Sequence, residues 1–303
     1  MIRLLAALLV LIASPAAAQK LDTTPRTAVM TAFPPEWLAL VGSVAAPVVY
    51  KVNGLEILTG TMEGKPVILI QSGVSMVNAA MNTQLLLDRF AVKRIVFSGI
   101  AGGINPRLDI GDVVVPARWN QYMEVSLARE TPRGWEPPER RPEDALPNYG
   151  MMFPRDVRVG SATEKAAPRR WFAADPALLD LARRIATQTR LARCLPSTDA
   201  HAPCLARAPK IVVGGDGISG SAFADNANYR EYLFKTFNAS VLDMESGAVA
   251  QVAFANSVPF VAFRSLSDLA GGDAGANQMV TFMALASGNS ATVVRAFVAG
   301  LPD

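Results

Sequence analysis

Histidine is almost missing from this chain: one residue, His201, in 303. A Ser-His-Asp triad or a histidine-rich metal centre is built on this side chain, and a lone copy in the turn-rich stretch "CLPSTDAHAPC" supports neither. Cysteine is nearly as scarce. Its two copies, Cys194 and Cys204, bracket the same stretch. An even pair at short spacing in an exported protein reads as a disulfide; the alternative, a metal held by Cys194, His201 and Cys204, has only three ligands. Neither sign of charge dominates, with 29 Lys and Arg against 26 Asp and Glu, a net charge of +3. That balance is too small and too evenly spread for a nucleic-acid surface. The one dense basic stretch, Arg129 to Arg170, interleaves acids and prolines and reads as a solvated loop.

Long apolar runs are also lacking. Leu4 to Ile12 is purely apolar but too short to span a bilayer. Arg3 precedes it, and Ala16-Ala17-Ala18 follows just before Gln19. This is the pattern of a secretory signal peptide over residues 1–18, cut after Ala18; an N-terminal anchor is the alternative reading. No other stretch reads as long and apolar enough to cross a membrane. Residues 19–303 are therefore expected as one domain, periplasmic or secreted, with no membrane contact once the leader is removed.

What remains alternates strand-like and helix-like segments. "PVVYKVNGLEILTGTMEGKPVILIQSG" reads as short strands joined by Asn-Gly and Glu-Gly turns. "VNAAMNTQLLLDRF" has helical spacing, and "DPALLDLARRIATQTR" starts a helix with Asp175 as N-cap before Pro176. "RIVFSGIAGGI", "GDVVVPARW", "KIVVGGDGIS", "SVLDME" and "PFVAFRSLSD" each read as a strand; helices over "NANYREYLFKTF", "SGAVAQVAFANS" and the last twenty-odd residues intervene. Strands alternating with helices imply an α/β fold with helices on both faces of a sheet. Residues 130–156, "ETPRGWEPPERRPEDALPNYGMMFPRD", are a Pro- and charge-rich insertion, flexible or a lid.

Several polar residues fall at strand ends or in turns: Glu36 after "TAFPP", the turn Gly99 to Gly103, Met244-Glu245, and Arg264 to Asp268. Ligands of open α/β sheets bind outside the carboxyl ends of strands, so these places can converge on one pocket. Two carboxylates, Asp243 and Glu245, flank the point where a buried strand becomes a buried helix. Burying them is costly unless something nearby pairs with them.

In order and spacing, "SGIAGGINPRLDIGDVVVPARW" and "MESGAVAQVAFANSVPFVAFRSLSD" resemble the nucleoside phosphorylase superfamily, and within it the 5′-methylthioadenosine/S-adenosylhomocysteine nucleosidases. "SAFADNANYREYL" is more similar to the bark-storage-like relatives. The resemblance implies a three-layer α/β/α fold with a central mixed, twisted sheet. It implies an exported hydrolase that cleaves the N-glycosidic bond of an adenine nucleoside such as methylthioadenosine, S-adenosylhomocysteine or adenosine, without metal or organic cofactor, and the family likeness carries over a homodimer as well. In its terms Asp268 is the general acid at the base, with its pKa raised by burial. Glu36 activates the water. Glu245 accepts the ribose hydroxyls, with Met244 packed on the sugar. Ser267 orients Asp268, Phe223 stacks on the base, and Ala101 and Gly102 of the glycine turn line the substrate. Arg264 is placed among the substrate-binding residues, ordering neighbouring carboxylates, and Asp243 is a local structural acid. Two departures stand out. Ile100 occupies a position where the nucleosidases carry a hydroxyl, and no arginine accompanies the glycine turn in "VFSGIAGG", as a phosphorylase would require to hold phosphate. Hydrolysis is therefore favoured over phosphorolysis, with a non-catalytic nucleoside-binding or storage protein as the reading from another class.

Overall fold

The computed structural model describes residues 19–195 and 203–302. The leader at 1–18 and His201 lie outside the described residues. Strand β1 (Asp22–Thr31) runs into helix α1 (Pro34–Val41), which opens on two prolines at its first positions, where a missing N–H costs nothing. Strands β2 (Ala45–Val52), β3 (Leu55–Met62) and β4 (Lys65–Gln71) form an antiparallel meander. Its turns are the Asn-Gly and Glu-Gly pairs of the sequence. Asn53 and Gly54 take φ of 51° and 79°, Glu63 and Gly64 of 51° and 78°, the left-handed pairs that suit a two-residue hairpin.

Helix α2 (Met76–Arg89) leads into β5 (Phe90–Gly103), the longest strand. Two sequence segments expected as single strands are each broken in two. "GDVVVPARW" becomes β6 (Val113–Val115) and β7 (Arg118–Gln121), parted at Pro116, which has no N–H for a ladder. Between 125 and 169 the chain forms short hairpins, Val125–Leu127 with Met152–Pro154, Arg129–Thr131 with Gly134–Glu136, and Val157–Val159 with Ala167–Arg169. Strand β8 (Phe172–Ala173) and helix α3 (Pro176–Ala186) follow; the Asp175 carboxylate accepts the Leu178 N–H at 3.0 Å, as an N-cap should. "KIVVGGDGIS" becomes β9 (Ile211–Val213) and β10 (Asp216–Ser219), parted by Gly214 and Gly215, whose φ of 117° and 75° no strand residue adopts. Helix α4 (Ala227–Phe237), strand β11 (Ala239–Asp243), helix α5 (Ser246–Ala255), strand β12 (Phe260–Asp268) and helix α6 (Met279–Ala299) complete the order.

The main sheet runs β8-β7-β10-β11-β5-β1-β4-β3-β2. β5 is its hub. It pairs in parallel with β1 on one edge and β12 on the other, and its last two residues, Gly102 and Gly103, pair antiparallel with β11. Side chains alternate across it. Ala28 and Met30 of β1 pack with Ala79 and Leu86 of α2 and Val249 of α5, whereas Val29 packs with Leu40 of α1, Leu178 of α3 and Val294 of α6. Helices therefore cover both faces, and the expected three-layer α/β/α architecture with a mixed sheet is what forms.

One sequence expectation needs correcting. α6, with 21 residues and a mean hydropathy of 1.2, is long and apolar enough to cross a membrane by length and composition. In the fold it is a core helix: Val293, Val294, Phe297 and Val298 are fully covered beneath the sheet. Its apolar character comes from being buried by protein.

Cys194 and Cys204 are joined, S–S 2.04 Å, which leaves neither thiol for a metal. The next residue, Leu205, is buried against Gly111, whose φ is +88° and where a Cβ would lie 2.2 Å from the Leu205 side chain. The bridge thus holds Cys194 beside the segment whose Leu205 packs on the turn at Gly111. Replacing both cysteines by serine is expected to cost about 2–3 kcal/mol, from the loop entropy returned to the unfolded chain. Urea unfolding checks this; an unchanged midpoint would contradict it.

Candidate active site

The cleft is built where β1, β5, β11 and β12 end. Its lining draws Ala32 from just beyond β1, Ile100 to Gly102 from β5, Leu242 to Glu245 from the β11–α5 junction, and Ser267 and Asp268 from β12. Glu36, Met244, Glu245, Ser267, Asp268, Phe223, Ala101 and Gly102 all face it, as the sequence reading expects.

Below the floor lies Arg264, fully buried. Its Nε donates to Ser246 Oγ at 3.0 Å and lies 2.7 Å from Asp243 Oδ2. Its two terminal nitrogens stand 3.8 Å from Glu36 Oε1 and 3.9 Å from Glu245 Oε2. The guanidinium also lies 4.1 Å over the Phe97 ring. This cation is what makes burial of the flanking carboxylates tolerable. It also explains Gly99: a Cβ there would sit 1.8 Å from Arg264 Nη1, so only glycine leaves room. Arg264 is therefore corrected from a substrate-binding residue to one beneath the floor, since it does not line the cleft and its charge is held by three carboxylates.

Each carboxylate has its own partners. Glu36, in the first turn of α1 and 2% exposed, accepts the Ala32 N–H at 2.6 Å and the Ile100 N–H at 2.8 Å. Burial pushes its pKa up, against the opposing pull of Arg264 and these two donors. Asp243 accepts the N–H groups of Glu245 and Ser246 and the Ser219 hydroxyl, so it caps α5 as a structural acid. Glu245, also buried, accepts the Ser75 N–H at 2.9 Å. Burial first, and then the Asp243 charge, raise it to about 8. Substrate hydroxyls donating to it would favour its ionised form.

Asp268 is 3% exposed and burial raises its pKa. Oδ1 accepts the Ala270 N–H at 2.8 Å and the Asn277 amide at 3.4 Å. Oδ2 lies 2.9 Å from the Ser267 hydroxyl. Because amide N–H groups only donate, Oδ1 must stay an acceptor, and a proton on this carboxyl sits on Oδ2. When protonated, this carboxyl therefore has one fixed donor atom. It does not cap the last helix, which begins eleven residues later at Met279. Gly102 lets it approach the glycine turn, since a Cβ there would be 3.1 Å from Oδ1.

Sequence reasoning missed Ser75, Asn277 and the apolar lining residues Phe33, Val74 and Met279. Ser75 follows a strand in "SGVS", a loop position beyond β4 that could have been flagged on topology alone. It adopts φ 86°, ψ 158°, a region other residues than glycine avoid, and so presents its N–H to Glu245. Ser75→Gly is expected to keep that N–H and raise stability by about 1 kcal/mol through relief of strain. A fall in melting temperature would contradict the strain.

The sequence family described as the phosphorylase superfamily matches residues 26–299. The chain belongs to the phosphorylase superfamily. Among its superfamily relatives, the 5′-methylthioadenosine/S-adenosylhomocysteine nucleosidase of Halalkalibacterium halodurans is 32% identical over 247 residues, 81% of this chain and 86% of that protein. Two solved structures have the same fold. Futalosine hydrolase of Helicobacter pylori aligns with TM-score 0.67 at 20% identity, over 91% of this chain and 98% of that one. The 5′-methylthioadenosine/S-adenosylhomocysteine nucleosidase of S. pneumoniae aligns with TM-score 0.66 at 22% identity, over 91% and 100%. The expected superfamily fold is thus found by both routes.

Proposed function

We propose that the protein hydrolyses the N-glycosidic bond of an adenine nucleoside carrying a 5′ thioether, such as methylthioadenosine or S-adenosylhomocysteine. One observation carries the reading: three buried carboxyl groups, Glu36, Glu245 and Asp268, face one cleft, two of them beside a shared buried cation. The 32% identity to a nucleosidase supports the substrate class. Phe33, Val74 and Met279 make the rest of the lining apolar, which suits a thioether better than a hydroxyl.

The chemistry follows from the geometry. Asp268 gives the proton on Oδ2 to N7 of the purine as the C1′–N9 bond breaks and its electron pair passes to the base. Glu245 accepts hydrogen bonds from the ribose hydroxyls, and its negative charge stabilises the oxocarbenium ion. Glu36 takes a proton from water as the water oxygen bonds to C1′. The products are adenine and the free sugar, and the proton on Glu36 returns to Asp268 through solvent. Phe223, 56% exposed over the cleft, supplies a face for the base.

Water rather than phosphate fits the charge at the cleft. The sequence reading found no arginine near the glycine turn, yet Arg264 touches Gly99. That charge is already balanced by Glu36, Asp243 and Glu245, and among the described residues no cationic side chain lines the cleft.

Export and dimerisation belong to the same proposal. The leader pattern at 1–18 and the disulfide support an extracytoplasmic protein, and N-terminal sequencing should begin at Gln19. Exposed Val77 and Met81, one turn apart on α2, continue outward from the cleft residue Val74 and suit a second copy of the chain. Sedimentation equilibrium should then give a dimer. For the reaction itself, adenine release from methylthioadenosine, adenosine and inosine is the test, with methylthioadenosine expected to turn over fastest. No base release from any of them would favour a binding or storage protein.

A further inference from the structure

Two loops border the base side of the cleft. One, residues 220–226, carries Phe223; the other, residues 269–278, follows Asp268 and leads to Met279. They are fastened to each other. Asn226 donates its N–H to the Ala270 carbonyl at 3.2 Å, and its side chain accepts the Tyr229 N–H at the start of α4. Gly271, at φ +94°, presses so close that a Cβ would lie 2.3 Å from the Asn226 nitrogen. Arg230 of α4 donates to the Gly103 carbonyl at 2.8 Å and packs on Gly272.

Asn277 joins this contact to the general acid. Its side-chain oxygen accepts the Met279 N–H at 2.9 Å, so the orientation of the amide is fixed. Its nitrogen then faces Asp225 Oδ1 at 3.2 Å and Asp268 Oδ1 at 3.4 Å. We propose that Asn277 is a positioning residue that couples the Phe223 loop to Asp268, so that the aromatic face and the proton donor close on the base as one unit. The inference rests on the proposed hydrolysis. By holding Oδ1, Asn277 keeps the proton on Oδ2 and stops the carboxyl from turning. Closure of the two loops on a base would shorten the 3.4 Å contact.

The charged groups around Asp268 are Asp273 on its own loop, Asp225 and Arg230 on the neighbouring loop and α4, and Glu36, Asp243, Glu245 and Arg264 across the cleft floor. Among these Asn277 is a neutral donor to the ionised form of Asp268, so its removal should extend the neutral acid to higher pH.

The test uses two variants that keep an acceptor for the Met279 N–H. Asn277→Ser is too short to reach Asp268, and Asn277→Asp turns the donor into a second carboxylate. With methylthioadenosine, kcat should fall on the order of tenfold in both, with KM nearly unchanged. The basic limb of the kcat–pH profile should move upward, further in Asn277→Asp. Wild-type kcat and an unmoved limb would overturn the proposal. So would a loss of kcat that follows a fall in melting temperature while the limb stays in place, because Asn277 would then be only structural. Absence of adenine release by the wild type would instead sink the proposed hydrolysis itself, and binding of adenine to the unchanged protein would separate that failure from misfolding.

Discussion

Asp268→Asn is expected to lower adenine release by ~10²–10⁴-fold while leaving the fold intact. The amide can reproduce the contacts of the acid. Its oxygen can accept the Ala270 and Asn277 N–H groups, and its nitrogen can face the Ser267 hydroxyl. What it lacks is a proton to give. Removing an ionisable group from a position only 3% exposed should leave the melting temperature equal or higher. The variant should also lose the basic limb of the pH profile, which reports loss of the Asp268 proton. Glu36 must be ionised to take a proton from water, and burial raises its pKa as well, so the wild-type profile should be a bell whose acid limb lies above the ordinary glutamate range. Near wild-type activity of Asp268→Asn would remove this residue from the mechanism.

Arg264→Met is expected to show the largest loss of stability, about 3–5 kcal/mol at neutral pH. Methionine can fill much of the space over Phe97, so the loss is chiefly one of charge. Asp243 would lose its 2.7 Å partner, and Glu36 and Glu245 would remain buried with no cation below them. The pH dependence has a definite sign. A carboxyl whose folded pKa is raised binds its proton more tightly in the folded state. Its penalty is absent below the unfolded pKa of about 4 and grows as pH rises through the folded value. Removing Arg264 raises Glu36 and Glu245 further, so the deficit should be small near pH 4 and large near pH 8. Urea unfolding at both pH values measures it; a deficit independent of pH would mean that Arg264 contributes packing and not charge.

Much of this site is legible in the sequence because its residues lie where regular elements stop. Met244-Glu245 marks the change from a buried strand to a buried helix, and Asp268 ends an apolar strand. Such boundaries are visible as a change of pattern, and the resemblance to the superfamily attaches chemistry to them. The pairing demanded by Asp243 and Glu245 is also foreseeable, and Arg264 meets it. Its depth is not foreseeable, because only the packing of β5 against β12 puts the guanidinium where the Gly99 Cβ would be. The roles of Ser75, whose loop position alone is legible, and of Asn277 are hidden for a different reason. Each acts through one backbone or amide group in a loop, on a partner brought near by the sheet, and no periodicity marks either. Pro116 and the Gly214-Gly215 pair break strands whose apolar runs read as continuous, since hydrophobic pattern does not record where the backbone must turn.

The most direct test is the fate of the sugar when methylthioadenosine is cleaved over a range of phosphate concentrations. In the proposed hydrolysis Glu36, which lines the cleft, activates the water, and the Arg264 charge is balanced by Glu36, Asp243 and Glu245. The expected products are adenine and free methylthioribose, at a rate independent of phosphate. Formation of the sugar 1-phosphate, at a rate rising with phosphate, would contradict the account.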